Sequence, residues 1–157
     1  MRGRCRRAAR QPGNRGAYLL LLSLSDSTTI AVGGLGRLQF RCGNYIYVGS
    51  AMGGLEARVA RHLRPKKRLH WHIDRLLARA SIVGAVMFPS RKRQECSLAK
   101  TIHKSPKTAA LARFGSTDCG CPSHLFYIGK RPFGGMLRML DRTQIGGPGP
   151  SSRGWAD

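Results

Sequence analysis

Two tyrosines, an arginine and a glutamate in this chain are residue types that can handle a phosphodiester bond, and their order along the sequence is distinctive. Tyr18 closes the tripeptide Gly16-Ala17-Tyr18, and Tyr47 opens Tyr47-Val48-Gly49. Leu55-Glu56-Ala57-Arg58 follows, His62 comes four residues after the arginine, and Glu95 lies further on. Hydrolysis of a phosphodiester needs an activated oxygen nucleophile, a cation to meet charge on the phosphate, and usually a metal to assist the leaving oxygen. The chain offers a candidate for each. A phenol with a reference pKa of about 10 serves as a base only where a neighbouring cation stabilises its phenolate. Arg58, His62 or a metal could do this for either tyrosine.

These side chains act together only if the elements bearing them converge. Residues 16–25 read as a strand, a short apolar run that starts with an aromatic and stops at a Ser-Asp-Ser-Thr cluster. Residues 29–32, 38–42 and 44–48 are further short strands, the first two separated by Gly33-Gly34-Leu35-Gly36. From Leu55 the apolar positions Leu55, Val59 and Leu63 mark an amphipathic helix that Pro65 ends. Helical geometry sets Arg58 and His62 along the border of that stripe and points Arg61 and Arg64 to water. A second helix over 70–80, a strand over 82–88, a helix over 95–103 and a last strand over 123–128 complete the expected elements. The expected class is α+β, a small central antiparallel sheet flanked by helices.

The 28 Lys+Arg against 7 Asp+Glu give a net charge of +21, which suits a polyanion such as nucleic acid or an anionic membrane surface. Basic residues cluster in the first fifteen positions, over 58–79 and over 91–107; Arg61, Arg64, Lys66, Lys67 and Arg68 are the candidate nucleic-acid contacts. With aromatics at 7%, a groove that reads the backbone is expected over a base-stacking platform. No apolar run reaches the roughly 20 residues that span a bilayer, so no membrane association is expected. Five cysteines, an odd number, argue against a secreted disulfide framework and for a reducing, cytoplasmic setting. Residues 1–15 are expected to be a disordered basic arm, 16–130 the folded domain, and 131–157, rich in Gly, Pro and Ser, a disordered tail.

The paired tyrosine tripeptides followed by Leu55-x-x-Arg58 resemble the GIY-YIG nuclease superfamily, although each tripeptide departs at its middle residue, Ala17 and Val48. Tyr45-Ile46-Tyr47-Val48-Gly49-Ser50-Ala51, His70-Trp71-His72-Ile73-Asp74, Glu95-Cys96-Ser97-Leu98-Ala99 and Ser123-His124-Leu125-Phe126-Tyr127 narrow the likeness. They resemble the subgroup called Uri-type endonucleases, long labelled a domain of unknown function. The resemblance implies a nuclease in which Tyr18 and Tyr47 line the site, Arg58 contacts phosphate and a helix glutamate holds one divalent cation. Glu95 is that glutamate, because the only other one, Glu56, falls on the solvent side of its helix. A single magnesium or manganese ion is the expected cofactor, and DNA is expected over RNA as substrate. A nucleic-acid-binding module without chemistry is the alternative.

Two further clusters resemble metal sites. On a helix His72 points roughly 200° from His70 and Asp74, so these three cannot share an ion; His70 with Asp74 stays open as a pair, and hydrogen-bonded polar roles are the expectation. Cys119-Gly120-Cys121 with His124 offers three soft ligands, with Asp118, Cys96 or His103 as a fourth. That spacing is not a common zinc-finger one; buried small thiols and a capping histidine are expected, and zinc is not. Tyr127-Ile128-Gly129 matches the second tripeptide literally, but Pro132 interrupts the approach to Arg138, and it reads as a core strand.

Overall fold

A computed structural model of the chain describes residues 13–143 and 151–153. The apolar run after Gly16 becomes β1 (Gly16–Leu24), an interior strand whose two faces are both covered, which is why it lacks polar alternation. It pairs antiparallel on one side with β4 (Gly43–Ala51) and on the other with β5 (Ser81–Pro89). With β6 (Ala109–Ala110), β7 (Leu125–Gly129) and β8 (Ser151–Arg153), the sheet order is β6-β7-β4-β1-β5-β8, antiparallel throughout. A separate hairpin joins β2 (Thr28–Ala31) to β3 (Arg37–Phe40) across a 3-10 turn at Gly33–Leu35.

Strand alternation divides the core in two. Tyr18, Leu20 and Leu22 meet Leu55 and Val59 of α1 (Leu55–Leu63) and Ile73 and Leu76 of α2 (His72–Leu77). Ala17, Leu19 and Leu21 meet Leu98, Ala99 and Ile102 of α3 (Glu95–His103) and Met136 and Leu140 of α4 (Gly134–Thr143) on the opposite face. The class is therefore α+β with a central antiparallel sheet flanked by helices, as the sequence predicts. Tyr127 lies in β7, inside the sheet, and donates its phenol hydrogen to Cys42 O at 2.8 Å, in keeping with its reading as a core strand.

Three expectations need correction. The stretch 131–157, expected to be disordered, contains α4; its Met136 and Leu140 are one turn apart and bury together, a short signal masked by the surrounding Gly and Pro. The apolar stripe of α1 runs through Leu55, Val59 and His62, while Leu63 is 36% exposed. The inward place moves from i+8 to i+7, as a 3.6-residue period allows, and the imidazole takes it. The helix expected over 70–80 is shorter, at His72–Leu77. Of the expected basic arm, residues 1–12 lie outside the described residues, as do 144–150 and 154–157 of the tail. Among the described residues no helix is long and apolar enough to cross a membrane.

Candidate active site and metal centre

Register brings the two tyrosine tripeptides together, for Tyr18 on β1 lies opposite Gly49 on β4. The Tyr18 ring crosses the backbone of Gly49, where a Cβ would clash with the phenol itself. The glycine of the second tripeptide thus makes room for the tyrosine of the first. Tyr18 is 1% exposed and Tyr47 9% exposed, with ring centroids 6.4 Å apart. His62 from α1 closes the group, its centroid 5.5 Å from Tyr18 and 6.4 Å from Tyr47.

Protonation follows from burial. Burial raises both phenols well above their ordinary range; Tyr47 raises Tyr18 further, and Arg58 acts in the opposite sense on both. Burial also pushes His62 down to about 4, against the nearby Asp74. At neutral pH both partners of the 2.7 Å hydrogen bond between Tyr18 Oη and His62 Nε2 are therefore neutral, and the imidazole tautomer sets which of them donates. The other ring nitrogen, Nδ1, is buried without a hydrogen-bond partner and faces Asp74 Oδ1 at 4.0 Å. Because unfolded His62 would titrate at about 6.5, the unfolded chain binds the extra proton between pH 6.5 and 4. Stability from this group is full above pH 6.5 and falls as pH drops towards 4. Urea unfolding should show a loss of about 3 kcal/mol across that window, reduced in His62→Gln.

Asp74 anchors the other end of the chain. Burial by itself would raise its pKa, but two Arg61 hydrogen bonds of 3.0 Å and the backbone N–H groups of Trp71 and His70 outweigh that and hold it at about 2. Trp71 carries two guanidinium groups, Arg58 at 4.3 Å and Arg61 at 4.2 Å from its ring centroid. Arg58 also donates to Ser50 O at 3.2 Å, and Ser50 lines the cleft described below, so the guanidinium stands just behind its rim. Arg61, expected to point to water and contact nucleic acid, is instead held by Asp74 and by Arg68 O at 2.8 Å. Lys67 is similarly occupied, donating to the carbonyls of His62 and Arg64 at the end of α1. Arg64, Lys66 and Arg68 are exposed and, among the described residues, form no ion pair. The His70 ring packs edge-on against Trp71, and His72 Nδ1 accepts the Gly115 N–H at 3.3 Å.

A cleft of about 450 Å³ opens beside these groups, lined by Tyr47, Ser50, Arg93, Glu95, Asp118 and His124 among others. Glu95, the first residue of α3, directs Oε1 towards Arg93 at 3.5 Å, while its Oε2 is buried without a hydrogen-bond partner. The next residue, Cys96, joins Cys119, Cys121 and His124 in a cluster whose ligand atoms all lie within 4.8 Å of one another. His124 Nε2 is 3.6 Å from Cys119 Sγ and 3.9 Å from Cys96 Sγ. A tetrahedral zinc ion with Zn–S of about 2.3 Å and Zn–N of about 2.0–2.1 Å requires S···N edges of about 3.6 Å.

This cluster corrects the expected cofactor. A magnesium or manganese ion calls for hard oxygen donors, whereas the metal-ligand set beside Glu95 is sulfur and imidazole, which suit zinc. The reading of Cys119, Cys121 and His124 as mere buried thiols and a capping histidine gives way with it. Cys96 is the fourth member of the cluster, and only the fold brings it next to a motif more than twenty residues away. Sequence reasoning missed Trp71 and Arg93 as parts of the site and named Asp118 only as a possible metal ligand; an aromatic between two histidines and amid arginines was the signal for the first.

Fold and site together define a small α+β domain with a polar cleft, a buried tyrosine-histidine-aspartate chain and a soft-ligand metal cluster. The chain belongs to the family described as domain of unknown function DUF123, whose model matches residues 17–143. No curated protein and no solved structure matches it.

Proposed function

We propose that the chain is an endonuclease of the GIY-YIG type, close to the Uri-type subgroup, which hydrolyses phosphodiester bonds in DNA. The observation that carries this reading is the convergence of Tyr18, Tyr47 and His62, with Arg58 just behind the rim of a polar cleft, in a chain of net charge +21. Tyr47 lines the cleft and meets the substrate; Tyr18 lies behind it and orients His62. Arg58 and Arg93 neutralise the phosphate, in place of bulk solvent. The Glu95 carboxylate, which lines the cleft, accepts a proton from the attacking water, whose oxygen bonds to phosphorus as the P–O bond to the leaving group breaks. The leaving oxygen takes its proton from Tyr47, whose phenol burial keeps protonated. The thiol cluster supports a reducing, cytoplasmic setting.

The test is incubation of branched, nicked and linear DNA with the purified chain over a panel of added divalent cations. Cleavage undiminished in Glu95→Ala and Arg58→Ala removes the assignment. The near-complete burial of Tyr18 favours the second reading, a binding module without turnover, and binding without cleavage on every substrate would establish it. Under either reading the exposed Arg64, Lys66 and Arg68 meet DNA phosphates. Their combined replacement by alanine should lower the slope of log K against log salt by about 2.7, at about 0.9 for each phosphate contact, in fluorescence anisotropy titrations.

A further inference from the structure

The soft-ligand cluster lies between the two walls of the cleft. Cys96 is on α3, immediately after Glu95, while Cys119, Cys121 and His124 belong to the loop that leads into β7. That loop is fastened to the tyrosine strand, since His124 O accepts the N–H of Val48, the neighbour of Tyr47, at 2.8 Å. His124 N–H in turn donates to Phe114 O at 2.8 Å, and the Phe114 ring packs against Tyr47 with centroids 6.4 Å apart. Among the described residues few other contacts tie the start of α3 to this loop: Gln94 makes no side-chain cap, and Cys121 Sγ reaches Cys96 O only at 3.9 Å. Leu98 and Ala99 hold α3 on the sheet, but the side-chain ties between its first residues and this loop are those of the cluster itself.

We propose that Cys96, Cys119, Cys121 and His124 bind one structural zinc ion that pins the start of α3 to the loop, fixing Glu95 and Tyr47 on opposite walls of the cleft. Four protein ligands close the coordination sphere, which is the pattern of structural zinc; a catalytic site keeps a position open for water. Zinc loss unties the wall bearing Glu95 without touching the Tyr18–His62–Asp74 chain on the other face of the sheet.

The full chain, purified without chelator and dialysed against excess zinc, should hold one zinc ion per molecule by plasma mass spectrometry. Cobalt replacing it should give the intense visible bands of tetrahedral coordination with thiolate charge transfer in the near ultraviolet. Of the five thiols in the chain, three should react slowly with a thiol reagent until a strong chelator is added. Chelation should lower the melting temperature by about 10 °C or more, restored by zinc and not by magnesium. Cys96→Ser should lose the stoichiometric metal, and Cys96→His, which keeps a zinc ligand at that position, should retain it in a folded chain. Cys42→Ser, outside the cluster, should leave metal content unchanged. A chain without zinc after this loading, an octahedral cobalt spectrum, or full zinc retention in Cys96→Ser would overturn the proposal. These readouts need no cleavage: zinc bound with no turnover counts against the nuclease reading alone, and turnover with no zinc counts against this one alone.

Discussion

Replacing Asp74 with alanine is expected to lower the free energy of unfolding by about 3–5 kcal/mol, the usual cost of removing one partner from a buried ion pair. Asp74 has no exposed side-chain surface, and its two oxygens accept both Arg61 nitrogens and the backbone N–H groups of His70 and Trp71. Alanine leaves the guanidinium beside His62 without a counter-charge and orphans two N–H groups at the start of α2. Loss of that cap alone accounts for about 1 kcal/mol. Asp74→Asn preserves shape and one acceptor, so it isolates the charge. A carboxyl held at about 2 against an ordinary 3.8 contributes about 2.5 kcal/mol, at 1.36 kcal/mol per unit.

The sign gives the window. The native carboxyl is the stronger acid, so this stability is complete above pH 4 and is lost as pH falls towards 2. Urea titrations of wild type and Asp74→Asn should therefore differ by about 2.5 kcal/mol at pH 7 and converge near pH 2. A difference that persists unchanged at pH 2 would show that packing, and not the charge, carries the effect.

What could be read from the sequence was whatever a local pattern encodes. The apolar run of β1 and the spacing of Leu55 and Val59 show in the pattern itself, because burial of a strand or a helix face depends on period alone. The start of α3 at Glu95 and the sheet position of Tyr127 also follow locally, from first-turn acidity and from Pro132. What a pattern cannot carry is which solvent-side residue finds a partner across the fold. Arg61 falls on the outer side of α1 by angle, yet α2 and the preceding loop cover it and present Asp74. His62 displaced Leu63 from the core because the Tyr18 phenol offers it a hydrogen bond there and the Asp74 carboxylate faces its other nitrogen at 4.0 Å.

The metal cluster shows the same limit from the other direction. Cys119, Cys121 and His124 are visible as three-quarters of a site, but the choice among Asp118, Cys96 and His103 depends on where α3 packs. The buried Leu98, Ala99 and Ile102 press α3 onto the sheet and leave Cys96 turned towards the loop. Glutamate scarcity pointed to Glu95 as a residue of the site without naming its neighbours. Its surroundings changed the expected ion from a hard cation to a soft one.

Under the proposed nuclease activity, Arg58→Ala should reduce cleavage by about 10²–10³-fold, the cost typical of removing one preorganised donor from developing charge. The side chain lies over Trp71 and donates to Ser50 O, contacts that pre-set its direction just behind the rim of the cleft. Both are replaceable for folding, since Arg61 keeps the other guanidinium contact with the indole. The stability loss should stay near 1 kcal/mol, a single cation–π contact with one hydrogen bond. Activity and stability should thus separate at Arg58 and fall together at Asp74. Arg58→Lys retains the charge but not the planar fork that rests on Trp71 while reaching the phosphate, so it should recover only part of the rate. Single-turnover cleavage under saturating enzyme separates this loss from weaker binding. If Arg58→Ala binds DNA more weakly yet cleaves the bound fraction at the wild-type rate, the guanidinium holds substrate without stabilising the transition state, and Arg93 is left as the cation of the cleft.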